Sequence, residues 1–128
     1  MGAIAVAMLL IPAGARAADP TPGEAAYRRY CGACHGISGK GDGVAAGTMR
    51  PKPTDLTQIA KRHRGTFPYV LVKESIDGRK PIAAHGDSAM PVWGLIFAEE
   101  KAQNPTSAAE VRGQVQLITD YVATIQAK

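Results

Sequence analysis

The sequence predicts an all-α domain, three to five helices joined by long loops. Two capping boxes open apolar runs of helical period, no stretch alternates convincingly as a strand would, and glycine- and proline-rich segments separate the helical ones. Its 128 residues suffice for one small domain and not two. No internal repeat or low-complexity segment interrupts the chain.

Taken in order, the elements have local causes. Asp19-Pro20-Thr21-Pro22 is a turn-rich leader. Thr21 and Glu24 form a capping box around Pro22, so a helix should run over about 22–30. Five glycines between Gly36 and Pro53 remove any sustained period there, and the stretch reads as loop. Asp55 can cap a short helix over roughly 56–63 that Gly65 ends. Thr66 should cap a third over about 67–76, with Phe67, Val70 and Leu71 on one face and Asp77-Gly78 as its stop. Residues 78–91 read as loop again, and 93–97 as a helical turn. The last helix, about 108–126, opens on the Ser107/Glu110 capping box. It carries Val111, Val115, Ile118, Val122 and Ile125 at helical spacing.

The first 17 residues read as an export signal. The apolar run from Ala3 to Ile11 is followed by Pro12 and by Ala15 and Ala17, which suit positions −3 and −1 of a cut after Ala17. That run is too short to span a bilayer, and no Lys or Arg precedes it. The expected compartment is the periplasm. Residues 18–128 contain only four Tyr, two Phe and one Trp beside abundant glycine, a thin supply of large apolar side chains. A buried flat cofactor would supply the missing bulk.

The formal net charge is +4, unevenly spread. From Arg28 to Arg64 the bases are Arg28, Arg29, Lys40, Arg50, Lys52, Lys61, Arg62 and Arg64, against Asp42 and Asp55 alone. Such a surface steers acidic protein partners or is an ordinary solvated face. Nucleic acid is disfavoured, because no binding motif accompanies the charge and an exported chain does not meet it.

The chemistry sits in Cys31-Gly32-Ala33-Cys34-His35, the attachment pattern for c-type haem. Two thiols three residues apart can reach two porphyrin vinyl groups as thioethers, and the adjacent His35 is then directed at the iron. A disulfide between Cys31 and Cys34 would leave His35 unexplained. A thioredoxin-like dithiol needs a βαβ pattern that is missing, and a structural zinc site needs about four ligands where only two Cys and three scattered His exist. The glycine-rich stretch fails as a phosphate loop, lacking the Lys-Ser/Thr end. Glycine-permitted turns beside a large cofactor explain it better.

With these residues the chain resembles the class I, mono-haem cytochrome c family of bacterial type. Gly23 and Tyr27, eight and four residues before Cys31, match that family's glycine and aromatic on the N-terminal helix. Ile118, Tyr121 and Val122 are similar to its aliphatic–aromatic–aliphatic set on the C-terminal helix, which crosses the first. The resemblance implies the cytochrome c fold wrapped around one covalently bound haem c, over a domain from 18 to 128. It implies Cys31 and Cys34 as attachment residues and His35 as the proximal iron ligand. It also implies a proline carbonyl behind His35, for which Pro51 and Pro53 are the candidates.

For the second axial ligand, Met90 lies 55 residues after His35 inside Met90-Pro91-Val92-Trp93-Gly94, which looks like the family's ligand loop. A thioether raises the reduction potential, which suits a carrier. His85 is the rival and would give a bis-His haem of lower potential. His63, in a Lys-Arg-His-Arg run, reads as surface. Trp93 is expected either to pack on the haem or propionate, or to serve as plain core. With two axial ligands no position is open for a substrate. The expectation is then an electron carrier and not an enzyme, monomeric, with redox partners bearing acidic docking surfaces. A haem subunit of an exported dehydrogenase or reductase complex is the alternative.

Overall fold

The structure is a computed structural model that describes residues 18–79, 90–102 and 107–128, the side chain of Ser107 excepted. The export signal and His85 lie outside the described residues. Among the described residues the order is α1 (Pro22–Tyr30), α2 (Gly32–His35), a 3-10 turn (Ala46–Thr48), a second 3-10 turn (Leu56–Gln58) running into α3 (Ile59–Arg62), α4 (Tyr69–Asp77), α5 (Trp93–Glu100) and α6 (Ser107–Thr124). No strand occurs among them, as the all-α expectation requires.

Thr21 starts α1 by accepting the Glu24 N–H on Oγ1 at 3.2 Å. Only half of the predicted capping box forms. The Glu24 carboxylate turns forward to Arg28 at 2.6 Å, one helical turn on, instead of back to the cap. Arg28 and Arg29 in the last turn suit the negative end of the helix dipole. The buried face of α1 is Gly23, Ala26 and Tyr27.

That face meets α6, the central element, which packs against α1, α4 and α5. Val111, Val115, Ile118 and Val122 recur at steps of four, three and four, and each is at most 2% exposed. Burying such a side chain contributes roughly 1.5–3 kcal/mol, so this row is the fold's main apolar axis. Tyr27, Val72, Ile76 and Phe97 complete the core from the three packed helices.

Two expectations about the third helical run need correction. Thr66 does not cap it. The helix begins at Tyr69 because Phe67 precedes Pro68, and a residue before proline is pushed out of the α region. The shift also changes the buried face, which is Val72 and Ile76, while Val70 is 68% exposed. The helix predicted over 56–63 splits in two: Asp55 caps a 3-10 turn through the Thr57 N–H at 2.9 Å, and α3 comes directly after it. Left-handed Arg64 and Gly65 close it, with the Gly65 N–H returning to the Ala60 carbonyl at 2.8 Å. The turn predicted over 93–97 extends to Glu100, and α6 ends at Thr124.

Candidate functional site

The Cys-Gly-Ala-Cys-His segment forms its own turn of helix directly after α1. The Cys31 N–H bonds the Tyr27 carbonyl at 2.8 Å, and the Cys31 carbonyl accepts from the His35 N–H at 2.9 Å. The glycine-rich loop after it folds back over this turn. The Gly41, Gly43 and Ala45 N–H groups bond the carbonyls of His35, Cys34 and Ala33 at 2.8, 3.2 and 2.9 Å. Glycine is needed where that backbone lies closest: a Cβ on Gly43 would sit 2.3 Å from the Ala33 carbonyl oxygen. At Gly41 the φ of +76° and a Cβ position 2.4 Å from the Pro53 carbonyl oxygen both exclude a side chain. These glycines therefore serve the close approach of two backbone segments, one of them carrying the motif.

Beside this turn lies an apolar cavity of about 230 Å³. Tyr27, Cys31 and His35 form one wall, and Thr54, Leu56 and Ile59 form a second. Leu71, Val72, Ser75 and Ile76 of α4, Ile118 and Val122 of α6, and Met90 also line it. Arg62 and His63 are exposed side chains at its edge. Three of the four residues singled out from the sequence, Cys31, His35 and Met90, thus line one cavity. Cys34 is half-buried next to it and not among the lining residues. His63, expected on the surface, is exposed yet borders the cavity.

His35 is 9% exposed, and its Nδ1 lies 2.9 Å from the Thr54 carbonyl oxygen. A carbonyl only accepts, so Nδ1 carries the proton and Nε2 keeps the lone pair. Burial pushes the imidazolium below its ordinary range, more than the Thr54 contact raises it, so the ring is neutral and able to ligate. The acceptor corrects the sequence reading: it is Thr54, and neither Pro51 nor Pro53. The Pro53 carbonyl is turned to Gly41 instead.

Cys31 and Cys34 are both free thiols. Burial, then the neighbouring Cys34, pushes the Cys31 thiol up to about 12. Among the described residues no three His, Cys, Asp or Glu side chains gather as a metal site. The donor set fits a covalently attached haem: two thiols beside an apolar slot, a neutral imidazole fixed from behind, and a thioether lining the same slot.

Trp93 packs against the core. Its ring stacks on Phe97 at 5.6 Å and meets Tyr30 edge-on at 5.6 Å, outside the cavity lining. Tyr27, fully buried, donates its hydroxyl to the Gly36 carbonyl at 2.8 Å and so ties α1 to the end of the motif.

No helix among the described residues is long and apolar enough to cross a membrane. A family model described as cytochrome c oxidase, cbb3-type, subunit III matches residues 18–104, a span that holds the motif, Thr54 and Met90. Comparisons with curated proteins and with solved structures find no match. Matched over well over half its length, the chain belongs to the cbb3-type subunit III family of class I c-type cytochrome domains, whose work is haem-based electron transfer.

Proposed function

We propose that the chain is an exported mono-haem c-type cytochrome that carries single electrons between protein partners. Residues 1–17 are removed on export, and residues 18–128 form the cytochrome domain in the periplasm. Cys31 and Cys34 attach the haem as thioethers, His35 is the proximal ligand through Nε2, and Met90 is the second axial ligand. The observation that carries this reading is the convergence of Cys31, His35 and Met90 on one apolar cavity, with His35 Nδ1 held at 2.9 Å from the Thr54 carbonyl.

The haem supplies a one-electron iron couple. The chain's residues do the rest. The apolar walls keep water from the iron, Thr54 fixes the imidazole and raises its basicity, and a thioether at Met90 favours the reduced metal. Haem that survives denaturation and acid–acetone extraction is the expected result, since thioethers resist both. Loss of the haem on extraction, or its covalent retention after Cys31→Ala with Cys34→Ala, refutes the attachment. Mature protein beginning at Ala18 is expected from amino-terminal sequencing of exported material, and retention of Met1 contradicts cleavage.

The family description favours a second reading, a haem subunit of a larger redox complex. Monomeric purified protein that shuttles electrons supports the carrier, and copurification with a catalytic partner supports the subunit.

A further inference from the structure

We propose that Gln126 is a positioning residue for the His35 imidazole and thereby a determinant of the reduction potential. The inference rests on the reading of His35 as proximal ligand, and its own content is the route by which the chain's last residues reach that ring.

Gln126 lies just beyond the end of α6, half-buried. Its amide makes three hydrogen bonds. Oε1 accepts the Ala60 N–H at 2.8 Å, and Nε2 donates to the Leu56 and Val122 carbonyls, both at 2.8 Å. The next residue adds a fourth bond, from the Ala127 N–H to the Thr57 carbonyl at 2.8 Å. The tail therefore binds the short segment that forms the second wall of the cavity.

That segment cannot hold its own shape. It is a 3-10 turn and then four residues of α-helix, far below the length at which helices persist alone. Its first-turn N–H groups need outside partners, and Gln126 supplies one at Ala60. The Leu56 carbonyl has its partner in Gln126 too, while the Leu56 N–H bonds the Gly39 carbonyl at 2.7 Å. Leu56 is thus gripped on both sides, by the motif's glycine loop and by the C-terminal tail. Thr54, whose carbonyl holds His35 Nδ1, lies two residues upstream of that grip.

The sign of the effect is set by the donor strength of the ring. A carbonyl held firmly on a ring N–H makes the imidazole a stronger donor and stabilises the oxidised metal. Releasing Leu56 and Ala60 loosens the Thr54 carbonyl, weakens that bond and raises the potential. In the holoprotein, Gln126→Ala is expected to speed exchange of the His35 Nδ1 proton about tenfold and to shift the midpoint potential upward. Gln126→Glu keeps the acceptor for the Ala60 N–H but sets a carboxylate against two carbonyls. With both Nε2 bonds replaced by repulsion, this variant should move exchange and potential in the same direction, at least as far as Gln126→Ala does. Val111→Ala, a core truncation remote from the tail, should lower the unfolding temperature while leaving exchange and potential unmoved. Unchanged exchange and potential in both Gln126 variants overturns the proposal, as does an equal shift in Val111→Ala. Failure of the ligation reading shows itself separately: wild-type protein would then lack strongly displaced His35 ring resonances in its ferric magnetic resonance spectrum.

Discussion

Gly23 lies so close to Leu117 that a Cβ on it would stand 2.5 Å from the Leu117 carbonyl oxygen and 3.2 Å from the Tyr121 Cβ. The obstacle is helix backbone, which cannot swing aside as a flexible side chain would. This contact sets the distance between α1 and α6 and, with it, the position of Tyr27 over the end of the motif. Gly23→Ala must separate the helices or bend α1. A loss of roughly 1–3 kcal/mol is expected, read as a lower unfolding midpoint of the holoprotein. Unchanged stability would show that the crossing has slack.

Much of this frame is legible in the sequence because its causes are local. Thr21 and Pro22 start α1, and the valines and isoleucines of α6 announce their face by spacing alone. The motif names its own chemistry. What could not be read depends on tertiary placement. Pro51, Lys52, Pro53 and Thr54 offer consecutive carbonyls, and only the packing of the glycine loop decides that Thr54 faces His35 while Pro53 faces Gly41. Gln126 reads as the polar end of a helix, and nothing in its neighbourhood signals a partner 66 residues earlier at Ala60. The boundary before α4 is readable, since Phe67-Pro68 disfavours helix, but the cap at Thr66 is the stronger-looking signal.

A second prediction concerns alkaline pH. The Tyr69 hydroxyl donates to Asp120 at 2.5 Å and accepts from Gln116, joining α4 to α6. Partial burial, and after it the Asp120 carboxylate, pushes Tyr69 up to about 12 from an ordinary value near 10. The folded state therefore holds a proton that the unfolded chain gives up first. The contribution is complete below about pH 10 and is lost as pH rises toward about 12. Tyr27, Tyr30 and Tyr121 shift the same way, so the informative quantity is a difference. Tyr69→Phe should be less stable than wild type at neutral pH, and the gap should narrow in denaturant titrations near pH 11. A gap that stays constant with pH counts against the pairing.

A third prediction tests the docking surface. Lys40, Lys52, Arg62 and Arg64 are exposed, and Arg62 borders the cavity. If this face meets an acidic redox partner, the second-order rate should fall as salt brings the Debye length below about 10 Å. Lys52→Glu should slow association at low salt and leave the midpoint potential nearly unmoved. A rate indifferent to salt would make the patch a solvated face.

The last prediction concerns the second axial ligand. Met90 lines the cavity that His35 lines, and it packs against the core between α4 and the start of α5. Its immediate successor, Pro91, fixes one backbone angle, so the thioether enters the slot from a stiffened turn. A sulfur donor stabilises the reduced iron, and an imidazole in its place would lower the potential. His85 lies outside the described residues, and the choice between the two is an experimental one. Met90→Ala should abolish the weak red absorption band of ferric thioether-ligated haem, lower the midpoint potential and open a position for cyanide or imidazole. His85→Ala should keep the band and move the potential little. If His85→Ala removes the native ligation signature while Met90→Ala preserves it, the haem is a bis-His centre of low potential, and the cavity placement of Met90 is packing alone.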